Sequence, residues 1–251
     1  MAGHNKWSKV KRLKGALDAK RGKIFSKLSK EITVATRMGG GDPNFNPRLR
    51  SAVLAARAQN MPNDNIDRAI KKGTGEIEGA AYEEIAYEGY APAGVALIVE
   101  TATDNKNRTA ADLRLIFTKN HGNLASSGSV SYMFHRKGLI TIPKSAGTEE
   151  QIFDIAIEAG AEDIAADDEY FSITTSLDHL YPVAEALKSA GIPSDSQKLT
   201  YLPDTTVQVA DEQTAAQVLR LCEALEDNED VQAVHANFDI PEDVLARLSQ
   251  S

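Results

Sequence analysis

Asp18–Arg37 reads DAKRGKIFSKLSKEITVATR, and the contrast between its two faces decides how the N-terminal part of the chain folds. At about 100° per residue, Ile24, Phe25, Leu28, Ile32 and Ala35 fall on one side of a helix. Lys20, Lys23, Lys27, Lys30 and Arg37 gather within roughly 100° on the opposite side. An amphipathic helix with an almost purely cationic polar face is expected. Only Asp18 and Glu31 are acidic in it. A face built for solvent mixes Glu with Lys to gain pairs one turn apart. This imbalance points instead to a partner rich in phosphate.

Outward from this helix the signals stay helical. Gly39-Gly40-Gly41-Asp42-Pro43 breaks the periodicity and reads as a flexible hinge. Asn46-Pro47 reads as N-cap and first residue of a second helix, which carries Leu49, Val53, Leu54 and Ala56 and stops before Pro62. Arg50 and Arg57 share a face of it. A short third helix has Ile66, Ala69 and Ile70 on its apolar side. Gly73 suits its C′ position, and Lys71 and Lys72 suit the negative end of its dipole. Thr74 to Gly79 reads as a linker. Upstream, Trp7 stands among Lys6, Lys9, Lys11, Arg12 and Lys14. An aromatic among cations can stack on an unpaired base while the lysines hold phosphates, or it can pack back onto the helices.

Charge divides along the chain in the same place. Residues 1–72 hold 17 Lys and Arg against 5 Asp and Glu, a balance of +12. The remaining residues balance at −20, so the net −8 conceals a strongly basic N-terminal block. Such blocks attract polyphosphate backbones, because each neutralised phosphate releases condensed counterions. The acidic remainder would repel nucleic acid and orient the basic block toward it, or meet a basic protein surface.

After Ala80 the pattern becomes α+β. Strands are expected at 82–89 and 95–101 around the turn Ala91-Pro92-Ala93-Gly94, a helix at 109–119 and a third strand at 129–134. Leu139–Ile142 begins another unit, in which Thr148 and Gln151 form a capping-box pattern before a helix at 152–159. Then come a strand at 170–175, a helix at 181–188 and an extended piece at 198–202. A strand at 207–209, a helix at 211–225 and a strand at 231–237 end the pattern. These elements group into two small βαβ-type layers. The expected organisation is a basic helical domain (1–79), a discontinuous α/β domain (80–135 plus 204–251) and an inserted α/β domain (136–203).

Chemistry-bearing motifs are scarce. Gly22-Lys23 is no phosphate-binding loop, since Leu17 stands where its first glycine belongs and Ile24 replaces Ser or Thr. The histidines, His4, His121, His135, His179 and His235, have no metal-ligand spacing. Ser126, Ser127, Ser129 and Ser131 surround Gly128 without a nucleophile elbow and read as a polar loop. Carboxylates cluster at Asp167-Asp168-Glu169 and at Glu226-Asp227-Asn228-Glu229-Asp230. Neither cluster has calcium-loop spacing. Both read as solvated turns, the alternative being a metal-dependent enzyme. Arg136-Lys137-Gly138-Leu139-Ile140 lacks the stacking aromatics of an RNA-recognition strand. Cys222, the one cysteine, lies on the apolar face of a helix and reads as a buried thiol. No catalytic residue, metal or cofactor is expected. No apolar run reaches the length of a membrane span, no secretory h-region follows the first residues, and Ala2 stands where a myristoylation signal needs glycine. A cytoplasmic protein with no membrane partner is the expectation.

Several motifs together resemble the YebC/PmpR family. Gly3-His4-Asn5-Lys6-Trp7 followed by Asp18-Ala19-Lys20-Arg21-Gly22-Lys23-Ile24-Phe25 is similar to its opening. Asp42-Pro43, Asn46-Pro47, Leu49-Arg50 and Asn60-Met61-Pro62-Asn63-Asp64-Asn65-Ile66 with Arg68-Ala69-Ile70 are similar to its helical domain. Gly128-Ser129-Val130 with Phe134, and Asp230-Val231-Gln232 with Val234 and Asn237, resemble its later signatures. The resemblance implies an α+β fold of three domains, an N-terminal three-helix domain and two small ferredoxin-like α/β domains, one inserted in the other. It implies nucleic-acid-linked regulation and offers no catalytic residue. Bacterial members are described as probable DNA-binding transcriptional regulators and have also been linked to ribosomes stalled on proline runs; mitochondrial relatives look like translational activators. The stretch Val10–Leu17 departs from the usual pattern: charge is kept, but Arg12 stands where the family places a histidine ring.

The expectation that follows is a non-enzymatic nucleic-acid-binding regulator of gene expression. DNA is the leading target, and RNA, with the ribosome as partner of a translation factor, the alternative. Its candidate contacts are Lys6, Trp7, Lys9, Lys11, Arg12, Lys14, Lys20, Arg21, Lys23, Lys27, Lys30 and Arg37. Such contacts position a nucleic acid without specifying its sequence. Reversing the charge of Lys23, Lys27 and Lys30 is expected to abolish binding and leave the fold intact. Oligomeric state has no signature in the sequence.

Overall fold

The computed structural model describes residues 21–248. Three helices come first: α1 (Arg21–Gly39), α2 (Pro47–Ala58) and α3 (Asn63–Thr74). The Asn46 side chain caps α2 by accepting from the Leu49 N–H at 3.0 Å, and Pro47 sets the first turn. α3 ends differently from the sequence expectation. It runs through Gly73, and Gly75, at φ +82°, takes the left-handed cap. Gly73 serves packing: a Cβ there would stand 2.5 Å from Thr36 Cβ and 2.7 Å from the Thr33 carbonyl, so only glycine lets α3 approach α1 this closely. Ile32, Leu49, Val53, Ala56, Met61 and Ile66 form the core of this bundle.

The glycines expected as a hinge form a tightly held corner. Gly40 has φ +88°, and its carbonyl accepts from Asn46 Nδ2 at 2.8 Å. A Cβ on Gly39 would meet the same Asn46 amide at 2.7 Å.

The second core surrounds a four-stranded sheet. β1 (Glu83–Tyr90) and β2 (Ala96–Thr103) form an antiparallel hairpin, followed by α4 (Lys106–Lys119) and the short β3 (Asn123–Leu124). After the inserted unit come β8 (Val207–Gln208), α7 (Glu212–Glu226), β9 (Val231–Ala236), β10 (Phe238–Asp239) and α8 (Glu242–Leu248). The sheet order is β3-β1-β2-β9, each neighbour antiparallel, while β8 and β10 make a separate parallel pair. Leu97, Val99, Leu113, Phe117, Val218, Leu221, Cys222 and Val234 lie in its core, so Cys222 is the buried thiol the sequence suggests.

Residues 129–133 do not form the expected strand. A single 3-10 turn spans Ser131–Met133, and the backbone N–H groups of Gly128, Val130 and Ser131 donate to the Glu88 carboxylate at 2.7, 2.6 and 2.9 Å. A buried carboxylate takes the place of a ladder partner. Burial alone would raise the Glu88 pKa; these N–H donors outweigh it and hold it below the ordinary value.

Residues 136–201 make a compact unit of their own. Its elements are β4 (Phe134–Pro143), α5 (Glu149–Glu158), β5 (Ala161–Ala166), β6 (Tyr170–Thr175), α6 (Leu180–Ser189) and β7 (Ser196–Pro203). The order β5-β6-β4-β7 on a βαββαβ chain is the ferredoxin-like arrangement. The Thr148–Gln151 capping box is present, and Asp167 closes the β5–β6 hairpin by accepting from the Glu169 and Tyr170 N–H groups. β5 escapes sequence reading because AEDIAA is poor in β-branched residues; pairing with β6 supplies what propensity does not.

Candidate nucleic-acid interface

The cationic face of α1 is turned toward the chain's own acidic run. Lys23 Nζ pairs with Asp227 Oδ2 at 2.9 Å and donates to the Asp227 carbonyl at 3.1 Å. Lys27 Nζ donates to the Glu226 carbonyl. Lys30 Nζ reaches the Glu229 carbonyl at 3.0 Å and Asp230 Oδ1 at 2.6 Å. The spacing 23-27-30 brings all three onto one stripe of α1. Their acceptors are the end of α7 and the turn after it. Carbonyls at a helix C-terminus lack intrahelical donors and carry the negative end of the dipole, so ammonium groups suit them.

Asp230 is the buried centre of this contact. Its side chain is 7% exposed and that of Lys30 11%. Asp230 Oδ2 also accepts from Arg108 at 2.9 Å, Thr109 at 2.7 Å and Thr103 at 3.3 Å. Burial would raise the carboxyl pKa; Lys30, Arg108 and Thr109 outweigh it and hold it at about 2. A second tie joins the helices to the sheet. Arg48 grips Glu31 at 2.8 and 2.9 Å and Glu84 at 3.1 and 2.6 Å. Burial would lower its pKa, and the two carboxylates reverse that and raise it.

Glu226–Asp230 is therefore not the solvated turn the sequence suggests. It is the acidic half of a junction between the helical bundle and the larger sheet. Charge reversal at Lys23, Lys27 and Lys30 would press carboxylates against carboxylates and helix-end carbonyls, so the expectation of an undisturbed fold does not hold. The signal for this junction is present in the sequence: a stripe of three lysines and a run of four acids in five residues. What the sequence lacks is a reason to join segments about 200 residues apart.

Of the other candidates, Lys6, Trp7, Lys9, Lys11, Arg12, Lys14 and Lys20, with the Arg21 side chain, lie outside the described residues. Arg37 is exposed in the last turn of α1. Arg57 on α2 and Arg68 and Lys71 on α3 are exposed as well, and Arg50 is half-buried. Among the described residues these five cations form no ion pair. The end of α1 and the loop that follows it add a feature that composition conceals: Met38 in the last turn of α1 is 71% and Phe45 in the loop 85% exposed. Among the described residues no cluster of three or more His, Cys, Asp and Glu is placed to hold a metal ion. No described helix is long and apolar enough to cross a membrane.

Comparison with known proteins fits this arrangement of a basic helical bundle ahead of two sheet units. Residues 5–76 match the family model of the TACO1/YebC protein N-terminal domain, and residues 82–238 that of the TACO1/YebC second and third domain. The chain belongs to the YebC family. A relative in Desulfotalea psychrophila, named a probable transcriptional regulatory protein, is 56% identical over the whole of both chains. One of the same name in Sulfurihydrogenibium sp. is 54% identical over 99% of each. The crystal structure of a conserved hypothetical protein from Aquifex aeolicus superposes with a TM-score of 0.82 at 53% identity, covering 89% of this chain and 92% of that one. The YebC family's relatives are thus named as regulators, and the α+β fold with an N-terminal domain and two sheet domains is shared.

Proposed function

We propose that this YebC-family chain regulates gene expression by binding nucleic acid through its basic N-terminal block, with no catalytic chemistry of its own. One observation carries the reading. After the lysine stripe has been used internally, the helical bundle still presents Arg37, Arg50, Arg57, Arg68 and Lys71 with no acidic partner among the described residues. Duplex DNA is the proposed target, consistent with the relatives' name of probable transcriptional regulatory protein. Lys6, Lys9, Lys11, Arg12, Lys14, Lys20 and Arg21 would extend the same phosphate contacts, with Trp7 stacking on a base.

A second reading, binding of structured RNA on the ribosome, is favoured by the surface of α3. That helix exposes Asp64 and Asp67 beside Arg68 and Lys71. A mixed face of this kind suits phosphate contact from outside a helix better than entry into a major groove.

The test is fluorescence anisotropy with a duplex DNA, its single strand and an RNA hairpin, each titrated with salt. The Arg37→Glu, Arg50→Glu, Arg57→Glu variant should bind more weakly. Its log–log salt slope on duplex should fall by about 0.9 for each phosphate that the variant no longer neutralises. Tighter binding to the RNA hairpin than to duplex selects the translation reading. Unchanged affinity and slope would remove the bundle from the interface.

A further inference from the structure

We propose that Phe45 is a stacking platform for an unpaired nucleobase, held out on a rigid corner between the flanking cations of α1 and α2. This inference rests on the nucleic-acid reading above and concerns an unpaired stretch of the ligand, beside the phosphate contacts that duplex DNA also offers.

Exposed aromatics occur singly on many surfaces, so exposure alone says little. Here the backbone around the ring is fixed. Phe45 N and Asn46 N both donate to the Asp42 carbonyl, at 3.1 and 3.0 Å. Asn44 N donates to the exposed Asp42 carboxylate at 2.9 Å, a further tie within the loop. Asn46 is buried and locks the corner from beneath, donating to the Ala35 and Gly40 carbonyls at 2.8 Å each while capping α2. A corner held this firmly has little freedom to fold Phe45 against its own bundle.

The neighbours supply charge complementarity. Arg37 ends the helix before the corner, and Arg50 lies one turn into the helix after it, followed by Arg57 on the same face. Met38, its thioether accepting from Arg48 Nη1 at 3.2 Å, adds a second exposed apolar side chain. A rigid aromatic with guanidinium groups on the helices before and after it in the chain matches an unpaired base with its flanking phosphates, since every base offers a π-face and every linkage an anion. A protein partner would be expected to meet a wider apolar patch than these two side chains.

The experiment uses the full chain with fluorescent oligo-dT, oligo-U and a mixed-sequence duplex in anisotropy titrations. Phe45→Ala should weaken binding to both single strands by about 5- to 150-fold, the range of a single base–aromatic stack, and leave duplex affinity unchanged. Phe45→Trp should restore single-strand binding and Phe45→Leu should not. The salt slope should stay as in the native chain, because every phosphate partner is kept. Loss of both oligo-U and oligo-dT binding in Phe45→Ala supports the platform, and the strand the native chain prefers identifies the ligand's sugar chemistry. Equal losses on duplex and single strands, rescue by Leu as complete as by Trp, or native affinity in Phe45→Ala each overturn the proposal. If the native chain binds none of the three probes, the nucleic-acid reading falls as well; if it binds them and Phe45→Ala does not differ, only the platform falls.

Discussion

Replacing Asp230 by alanine tests the junction at its centre. The substitution leaves Lys30 in a site where its side chain is 11% exposed, facing no carboxylate from the acidic turn. Removing one member of a buried pair costs about 3–5 kcal/mol, because the remaining charge stays desolvated. Partners that survive place the loss at the lower end. Lys30 keeps the Glu229 carbonyl at 3.0 Å and the Tyr82 ring at 5.5 Å, and Arg108 keeps Asp104 at 2.8 Å. A loss of about 3 kcal/mol corresponds to a fall in Tm of roughly 6–12 °C for a body of this size. Differential scanning calorimetry reads it, and the transition of the 136–201 unit should not move, since that unit is separately compact. The pH dependence has a definite sign. The Asp230 pKa is lowered, to about 2, so its contribution is complete above the ordinary carboxylate range and lost as pH falls through about 2. The Tm gap between native and variant chains should hold constant from neutral pH to about 5 and close toward 2. A variant that melts within about 2 °C of the native chain at neutral pH, or a gap that persists at pH 2, would refute the buried-pair reasoning.

Two further substitutions probe packing away from the junction. Gly73→Ala should destabilise by about 1–2 kcal/mol in urea unfolding, since crowding against Thr36 and the Thr33 carbonyl outweighs the roughly 1 kcal/mol that alanine gains in a helix. A stabilised variant would show that α1 and α3 can part without cost. Glu88→Gln should cost about 1–3 kcal/mol, because an amide turns a donor toward at least one of the three N–H groups the carboxylate now satisfies. With its pKa lowered, Glu88 contributes above the usual carboxylate range and loses that contribution as pH falls through its folded pKa, so the difference between the two chains should shrink in acid.

What the sequence discloses, it discloses through local rules. Asn46-Pro47 before α2, Thr148 and Gln151 before α5, and the turn Ala91-Pro92-Ala93-Gly94 between β1 and β2 each place an element by physics confined to a few residues. What it withholds depends on partners distant in the chain. The segment 129–133 alternates like a strand, yet its Val130 and Ser131 N–H groups serve a carboxylate 42 and 43 residues away. β5 is a strand only because β6 lies beside it. Gly73 sits where a C′ glycine belongs, and only the proximity of α1 shows that it is there for space. Phe45 is unreadable as a surface feature, since nothing in Asn44-Phe45-Asn46 distinguishes a buried ring from an exposed one.

The lysine stripe shows the same limit at the level of function. A helix face that holds cations almost alone requires an anion, and that inference from Asp18–Arg37 stands. Sequence periodicity reports the sign of the partner and nothing of its identity. A phosphate backbone and the dipole end of α7 with its acidic turn present the same chemistry to an ammonium group. The chain satisfies the requirement internally, so Lys23, Lys27 and Lys30 cannot hold Asp227, Glu226, and Glu229 with Asp230, respectively, and neutralise phosphates at the same time. The +12 balance of the N-terminal block therefore overstates the charge available to a ligand in this arrangement. On the proposed reading, binding draws on the cations that the junction leaves outside it, and on the described surface of the bundle those are Arg37, Arg50, Arg57, Arg68 and Lys71.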